Sequence, residues 1–413
     1  MYGLLGKSLS HSFSKPIHEL LSPTLQYELL ETLSLNDFIS NIPFKGLNVT
    51  LPYKHEVLEM LDGLEAKAKA IGAVNTIVNQ NGKKYGYNTD YIALKDIISN
   101  KYPTNQETMI VILGNGSTKG TLKHVLNDLG YQNVYVCARN PKENELALAD
   151  IPLESEVLIN ATPVGMYPNN ESSFDIDFHK YNKVKLVHDL VYNPFQSTLV
   201  QQAKAHDIKT MNGLEMLFLQ AYHAQKLFGL SPSNSIDALM KTFKRDTMNI
   251  VFIGLPFSGK SHYGRLLAKT IDRPFIDIDN AIETKTALSI DSIFKVKGED
   301  YFRLIEKHIV MDKAKNHSQI IAPGGGVVLD ETLMMALKQN SFIIYLDMDD
   351  ALIDRIDIKN RPLIKTKNDW VRLKNNRMAL YKHYADAIIQ KDTLDEAEIL
   401  KRIEVTIDAY FNH

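Results

Sequence analysis

The sequence predicts an α/β protein built on mostly parallel sheets, and three observations carry the prediction. Short β-rich apolar runs recur from end to end, stretches of helical periodicity separate them, and two of the runs flow straight into glycine turns that open helices. The runs are Lys45 to Thr50, Met109 to Leu113, Asn133 to Ala138, Val157 to Asn160, Lys185 to Asp189, Asn249 to Ile253, Pro274 to Asp277, Ser318 to Ala322 and Ser341 to Leu346. With 413 residues, 44% hydrophobic and 23% charged, the chain has length for roughly two or three domains, each able to bury an ordinary core. The text turns to Gly-Leu-Ser-Pro-Ser-Asn-Ser and then to a polar helix-like stretch between Phe228 and Met248, where the main boundary is expected.

Composition excludes several classes of function. A net charge of −2 argues against a nucleic-acid partner, which would want a basic face. Cys137 is the only cysteine, so no intrachain disulfide forms and a reducing compartment suits the chain. The start Met1-Tyr-Gly-Leu-Leu-Gly-Lys lacks the long apolar core of a signal peptide, and no run of about 18 apolar residues follows. A soluble, cytoplasmic protein without a membrane partner is expected.

Taken in order, the first elements carry polar clusters that core packing does not explain. Ser12 and Ser14 stand two apart, Asn48 and Thr50 face the same way on a strand end just before Lys54, and Asn75 and Asp90 follow in Gly72-Ala-Val-Asn-Thr and Gly86-Tyr-Asn-Thr-Asp. Singly, each also reads as turn chemistry. Next, the run Met109 to Leu113 enters Gly114-Asn-Gly116-Ser117-Thr-Lys-Gly120 and a helix, the order of a dinucleotide site. The following run ends in Arg139, not in an acid. An acid there would grip the ribose hydroxyls of NAD, whereas Arg139 favours a 2′-phosphate and so NADP; the bland alternative is a solvated surface arginine.

The run Asn249 to Ile253 leads into Gly254-Leu-Pro-Phe-Ser-Gly259-Lys260-Ser261, a nucleoside triphosphate loop. Its glycines let backbone N–H groups curl around phosphate oxygens, Lys260 reaches the outer phosphates and Ser261 can ligate Mg²⁺. Downstream, Asp277 and Asp279 are read as two carboxylates on one face of a strand end. Singly, Arg303, Arg361 and Arg377 read as solvated helix-face residues; with the Gly324-Gly325-Gly326 turn and the phosphate loop they are expected to make an anion pocket opposite the triphosphate.

Residues 1 to about 230 resemble shikimate dehydrogenase, through the clusters above and through Asn160-Ala-Thr-Pro-Val-Gly-Met, Asp189-Leu-Val-Tyr-Asn-Pro and Asn212-Gly-Leu-Glu-Met-Leu-Phe-Leu-Gln220-Ala. The resemblance implies that Ser12 and Ser14 bind the substrate carboxylate and that Asn48, Thr50, Asn75 and Gln220 hold ring hydroxyls. It makes Lys54 and Asp90 the proton-handling pair and NADPH the cofactor; a purely structural ion pair is the alternative for those two residues. Hydride delivered to a ketone builds negative charge on oxygen, which an ammonium stabilises and protonates while a carboxylate orients it.

Residues 249 to about 390 resemble shikimate kinase. Here the resemblance implies that Asp279 contacts the acceptor hydroxyl, Arg303 and Arg377 bind the substrate carboxylate, Gly325 belongs to the substrate turn and Asp277 lies near Mg²⁺. Arg361 matches the arginine of a lid, expected from about Ala351 to Lys367. The implied architecture is a two-lobed dehydrogenase followed by a P-loop kinase domain. Its substrate-binding domain covers 1–95 and is completed by about 213–240, its Rossmann NADP domain covers 96–212, and the kinase covers 249–413. The implied function is reduction of 3-dehydroshikimate with NADPH, then phosphorylation of shikimate by ATP and Mg²⁺. A quinate-oxidising or NAD-linked dehydrogenase with a regulatory P-loop domain is the rival. Departures from the family patterns are Ser117 for glycine, Pro16 one place late, Ala93 for glycine, and Phe257 for a glycine in the phosphate loop, where a positive φ would be costly.

Overall fold

The computed structural model describes residues 1–9, 12–355, 366–392 and 395–412, and it divides into two compact units, Met1–Met240 and Lys241–His413. All nine apolar runs are strands, within a residue or two at their ends. The α/β class expected from them is the one found.

The first unit holds two sheets. One comprises β1 (Tyr2–Gly6), β2 (Tyr27–Glu31), β3 (Gly46–Val49), β4 (Gly63–Leu64), β5 (Thr76–Gln80) and β6 (Lys83–Tyr87), in the order β2-β1-β3-β5-β6-β4. β1 runs parallel to β2 and β3, while β5 is antiparallel to both its neighbours. β5 and β6 form a hairpin whose turn residues Asn81 and Gly82 both have positive φ, 53° and 88°, the conformation that Asn-Gly adopts most readily.

The second sheet is wholly parallel: β7 (Ile110–Leu113), β8 (Val134–Ala138), β9 (Leu146–Ala147), β10 (Val157–Asn160), β11 (Leu186–Asp189) and β12 (Lys209–Met211), ordered β12-β11-β10-β7-β8-β9. Side chains alternate across it. Ile110 and Ile112 pack with Leu94, Ile98 and Leu122 on one face, while Val111, Leu113 and Cys137 pack with Phe174 and Phe178 on the other. Because both faces are covered, these strands read as continuous apolar runs. The register pairs Asn160 with both Leu113 and Asp189, so the segments that follow β7, β10 and β11 leave the sheet at one level. β7 has β8 on one side and β10 on the other, which makes its carboxyl end the crevice where such sheets bind ligands.

The second unit is built on β13 (Asn249–Ile253), β14 (Phe275–Asp277), β15 (Ile320–Ala322), β16 (Ser341–Met348) and β17 (Ala387–Lys391), parallel and ordered β14-β15-β13-β16-β17. The central strands β13 and β16 are buried along their whole length. One feature differs from expectation. Asp279 is not on a strand: β14 ends at Asp277, which caps the helix Ile278–Thr286 by accepting the Asn280 N–H at 3.2 Å. An aspartate at that place satisfies a helix-end donor, and this ends the strand two residues early and puts Asp279 in the first helical turn.

Candidate active sites

In the first unit, a cavity of about 510 Å³ gathers every residue proposed above for the substrate side. Ser12, Ser14, Asn48 and Thr50 line it, as do Lys54, Asn75, Asp90 and Gln220. They come from the start of the helix Ser14–Leu21, the end of β3, the turns after β3 and before β5, and the helices Thr89–Lys101 and Leu214–Leu227. Lys54 Nζ donates to Asp90 Oδ2 at 2.6 Å, with side chains 17% and 11% exposed, so the pair is largely shielded from water. Asp90 stands in the first turn of its helix, where the macrodipole favours a carboxylate, and Asn88 caps that helix through the Tyr91 N–H.

The amides are pre-set by the protein. Asn48 Oδ1 accepts from Tyr27 Oη at 2.8 Å, while its Nδ2 donates to Thr76 Oγ1 and to the Asn75 carbonyl. Both amide hydrogens are thus engaged, and a ligand hydroxyl meets Asn48 as an acceptor. Asn75 is the reverse. Its Oδ1 takes the Thr89 N–H at 2.7 Å and the hydroxyls of Thr89 and Thr76, leaving its amide nitrogen to donate. Ser12 Oγ donates to Ser14 Oγ at 3.0 Å, and the Ser14 N–H to Ser12 Oγ at 3.2 Å. Tyr192, to which the sequence reading gives no role, also lines the cavity; burial raises its phenol, and a hydrogen bond with Ser12 opposes that.

Gly116, Ser117 and Thr118 reach the same cavity from the second sheet. Gly114 has φ 102°, and a β-carbon there would lie 2.1 Å from Thr162 Cγ2, so only glycine fits. Around Gly116 nothing stands within 4 Å of a β-carbon's place, and this open approach to the amino end of the helix Ser117–Asp128 suits a pyrophosphate. Ser117 is the first residue of that helix and needs no glycine backbone. The other two departures are equally harmless: Pro16 lies in the first helical turn and Ala93 is buried inside a helix. Arg139 follows β8 and is exposed. Glu145, on the loop that follows β8, was not foreseen. It accepts from Asn115 Nδ2 and Lys119 Nζ, both at 2.8 Å, and from the Lys142 N–H, and these donors, Lys119 first, pull its carboxyl down to about 2. Loop folding brings these residues together, so sequence spacing gave no signal.

In the second unit, the phosphate loop runs from the end of β13 to the helix Lys260–Thr270. Gly254 and Gly259 have φ 150° and 97°. Phe257 takes φ 70°, the conformation the sequence marks as costly, at roughly 1–2 kcal/mol for a bulky residue. Lys260 Nζ donates to the carbonyls of Gly254 at 2.9 Å and Leu255 at 3.0 Å, and Trp370 Nε1 holds the Pro256 carbonyl at 3.1 Å. Ser261 is in the first helical turn beside Lys260.

The Gly324–Gly326 turn is the meeting point of the remaining residues. Arg377 Nη1 and Tyr381 Oη both donate to the Gly325 carbonyl, at 2.9 and 2.5 Å. Arg303 Nη1 lies 2.7 Å from where a Gly326 β-carbon would stand, and Asp279 Oδ1 lies 3.2 Å from the equivalent point on Gly324. Arg303 is itself aimed by Glu306 at 2.7 Å and Glu299 at 3.1 Å. Glu306, three residues on along the same helix, is only 1% exposed, and burial raises its carboxyl against the pull of Arg303. Arg361 and most of the expected lid lie outside the described residues. Among the described residues no helix is long and apolar enough to cross a membrane.

Both halves of the chain resemble known proteins. Residues 4–77 match the model of the shikimate dehydrogenase substrate binding domain, and residues 256–408 match that of shikimate kinase. A shikimate dehydrogenase (NADP(+)) of Clostridium beijerinckii is 34% identical over 246 residues, 55% of this chain and 91% of that protein. A chorismate mutase/shikimate 5-dehydrogenase fusion protein from Clostridium acetobutylicum has a similar structure, with TM-score 0.54 and 31% identity, covering 59% of this chain and 96% of that one. Shikimate dehydrogenase 1 from Peptoclostridium difficile gives TM-score 0.51 and 32% identity, over 59% and 95% of the two chains. The chain therefore belongs, over its N-terminal part, to the shikimate dehydrogenase family, and it carries a shikimate kinase domain in its C-terminal part.

Proposed function

We propose that the chain is a bifunctional enzyme that reduces 3-dehydroshikimate to shikimate and then phosphorylates shikimate to shikimate 3-phosphate. The observation that carries this reading is the convergence of six polar residues, from four separate stretches of the sequence, on one cavity around the Lys54–Asp90 pair. NADP(H), held by Gly114, Gly116, Ser117 and Arg139, supplies the hydride. Lys54 Nζ gives its proton to the oxygen that becomes an alkoxide, and Asp90 keeps the ammonium aimed there. Ser12 and Ser14 present hydroxyls to the carboxylate, and Asn48, Thr50, Asn75 and Gln220 fix the ring by its hydroxyls.

In the second half, ATP on Gly254, Gly259 and Lys260, with Mg²⁺ near Ser261 and Asp277, supplies the phosphoryl group. Asp279 orients the attacking hydroxyl and Arg303 and Arg377 grip the carboxylate across Gly325, while Arg361 is proposed as the lid arginine. Such a transfer asks mainly for alignment and charge neutralisation. The test is to assay the purified chain separately for 3-dehydroshikimate-dependent NADPH loss and for shikimate-dependent ADP release. Both activities are expected; absence of either removes that half of the proposal.

A further inference from the structure

Lys391, the last residue of β17, is 7% exposed, and among the described residues no carboxylate pairs with it. Its ammonium contacts the phosphate loop from behind. Nζ donates to the Ser258 carbonyl at 3.4 Å, sits 5.5 Å from the Tyr263 ring centroid and lies 3.4 Å from where a Gly259 β-carbon would stand. The register sets Lys391 opposite Met348 at the carboxyl end of β16, the edge of the sheet from which the phosphate loop also rises. Burying an ammonium against a long hydrogen bond and a ring face is costly, and this burial draws Lys391 below its ordinary range. A strained loop also needs its neighbours to hold it. Between Leu255 and Gly259 the chain carries Phe257 at φ 70° and Ser258, fully buried with a hydroxyl that has no hydrogen-bond partner among the described residues. Gly254 keeps that hydroxyl at the loop's inner side, 2.9 Å from the place of its missing β-carbon.

We propose that Lys391 is a positioning residue of the nucleotide site, which fixes the Ser258–Gly259 segment in its anion-binding form and puts a second positive charge beside the loop for a bound nucleoside triphosphate. The inference rests on the nucleotide reading of this loop and adds a residue to it. Lys260 secures the loop at the Gly254 and Leu255 carbonyls and Lys391 secures it at Ser258, so the loop is held at both ends by ammonium groups. The ligand's phosphates would supply the negative charge that no carboxylate among the described residues offers Lys391.

The experiment compares the full chain with Lys391→Met and Lys391→Arg, measuring Mg·ATP binding by calorimetry, the KM values for ATP and shikimate, and thermal melting with and without Mg·ATP. Lys391→Met is expected to weaken ATP binding and raise the ATP KM about 10–100-fold, to leave the shikimate KM within about threefold, and to shrink the upward melting shift that Mg·ATP gives the parent. Lys391→Arg, which keeps the charge, should recover most of the ATP affinity. A Lys391→Met protein that melts lower yet binds ATP as the parent does would reduce Lys391 to a structural role and overturn the proposal. So would equal loss in the Met and Arg variants when both remain folded, and so would a parent that binds no Mg·ATP. A parent that binds Mg·ATP without phosphorylating shikimate would instead sink the kinase reading, while the calorimetric comparison still judges Lys391.

Discussion

Among the described residues, the polar lining of the N-terminal cavity is chiefly neutral, hydroxyls of Ser12, Ser14 and Thr50 and amides of Asn48, Asn75 and Gln220, around the Lys54–Asp90 ion pair. The Gly324–Gly326 turn of the C-terminal unit is instead gripped by two guanidiniums, with Asp279 and Glu306 alongside. If both sites take the same small acid, the difference reflects what each reaction does with charge. Reduction creates one new charge, on one oxygen, and a single ammonium aimed at that atom answers it, while neutral donors hold the rest of the ligand without competing. Phosphoryl transfer brings two anions together, so fixed cations are needed before the chemistry starts.

The sharpest way to break this comparison is Lys54→Ala. With the Lys54 ammonium gone, turnover of 3-dehydroshikimate should fall roughly 10²–10⁴-fold, while shikimate-dependent ADP release stays unchanged. Steady-state rates of both reactions on one preparation check it; near-normal reduction would remove Lys54 from the mechanism. Arg303→Ala should come next, raising the shikimate KM of the kinase about 100-fold and the ATP KM far less, because a guanidinium contact with a carboxylate is strong and often bidentate. An effect on ATP alone would mean that the arginines serve the other ligand.

A smaller effect is expected at Arg139. It is exposed, so a contact with a 2′-phosphate there would be partly screened, and Arg139→Ala should reduce an NADPH preference of about 10–100-fold to near parity. Comparing kcat/KM for NADPH and NADH in parent and variant decides the point, and equal use by the parent would contradict it. The mildest change should be Ser14→Ala, raising the 3-dehydroshikimate KM by roughly three- to tenfold, since Ser12 and backbone groups remain. A loss as large as that of Arg303→Ala would erase the contrast between neutral and charged recognition.

Much of this could be read before folding. β7, β10, β11 and β13 are buried along their length, and such strands announce themselves as apolar runs. Several strands outside those runs are of another kind. β2 shows side chains to solvent, β17 mixes Gln390 and Lys391 into a short apolar stretch, and the β5–β6 hairpin carried its signal in Asn81-Gly82, which went unused. Among the candidate site residues, Lys54, Asp90, Arg303 and Arg377 were singled out through the resemblance of their surrounding motifs to two enzyme families. Glu145 and Lys391 were not, because each reaches its loop from an element distant in sequence. Asp279 was placed on the wrong element because a helix cap resembles a continuing strand when only alternation is counted. The cost foreseen at Phe257 is present in its backbone.

The central claim, that one chain carries out two consecutive steps on one small acid, is tested most directly by supplying purified protein with 3-dehydroshikimate, Mg²⁺ and ATP and adding NADPH last. ADP release should be negligible before NADPH and should follow its oxidation after a lag, approaching one ADP for each NADPH consumed. ADP release that ignores NADPH, or NADPH oxidation with no ADP release to follow, would contradict the account.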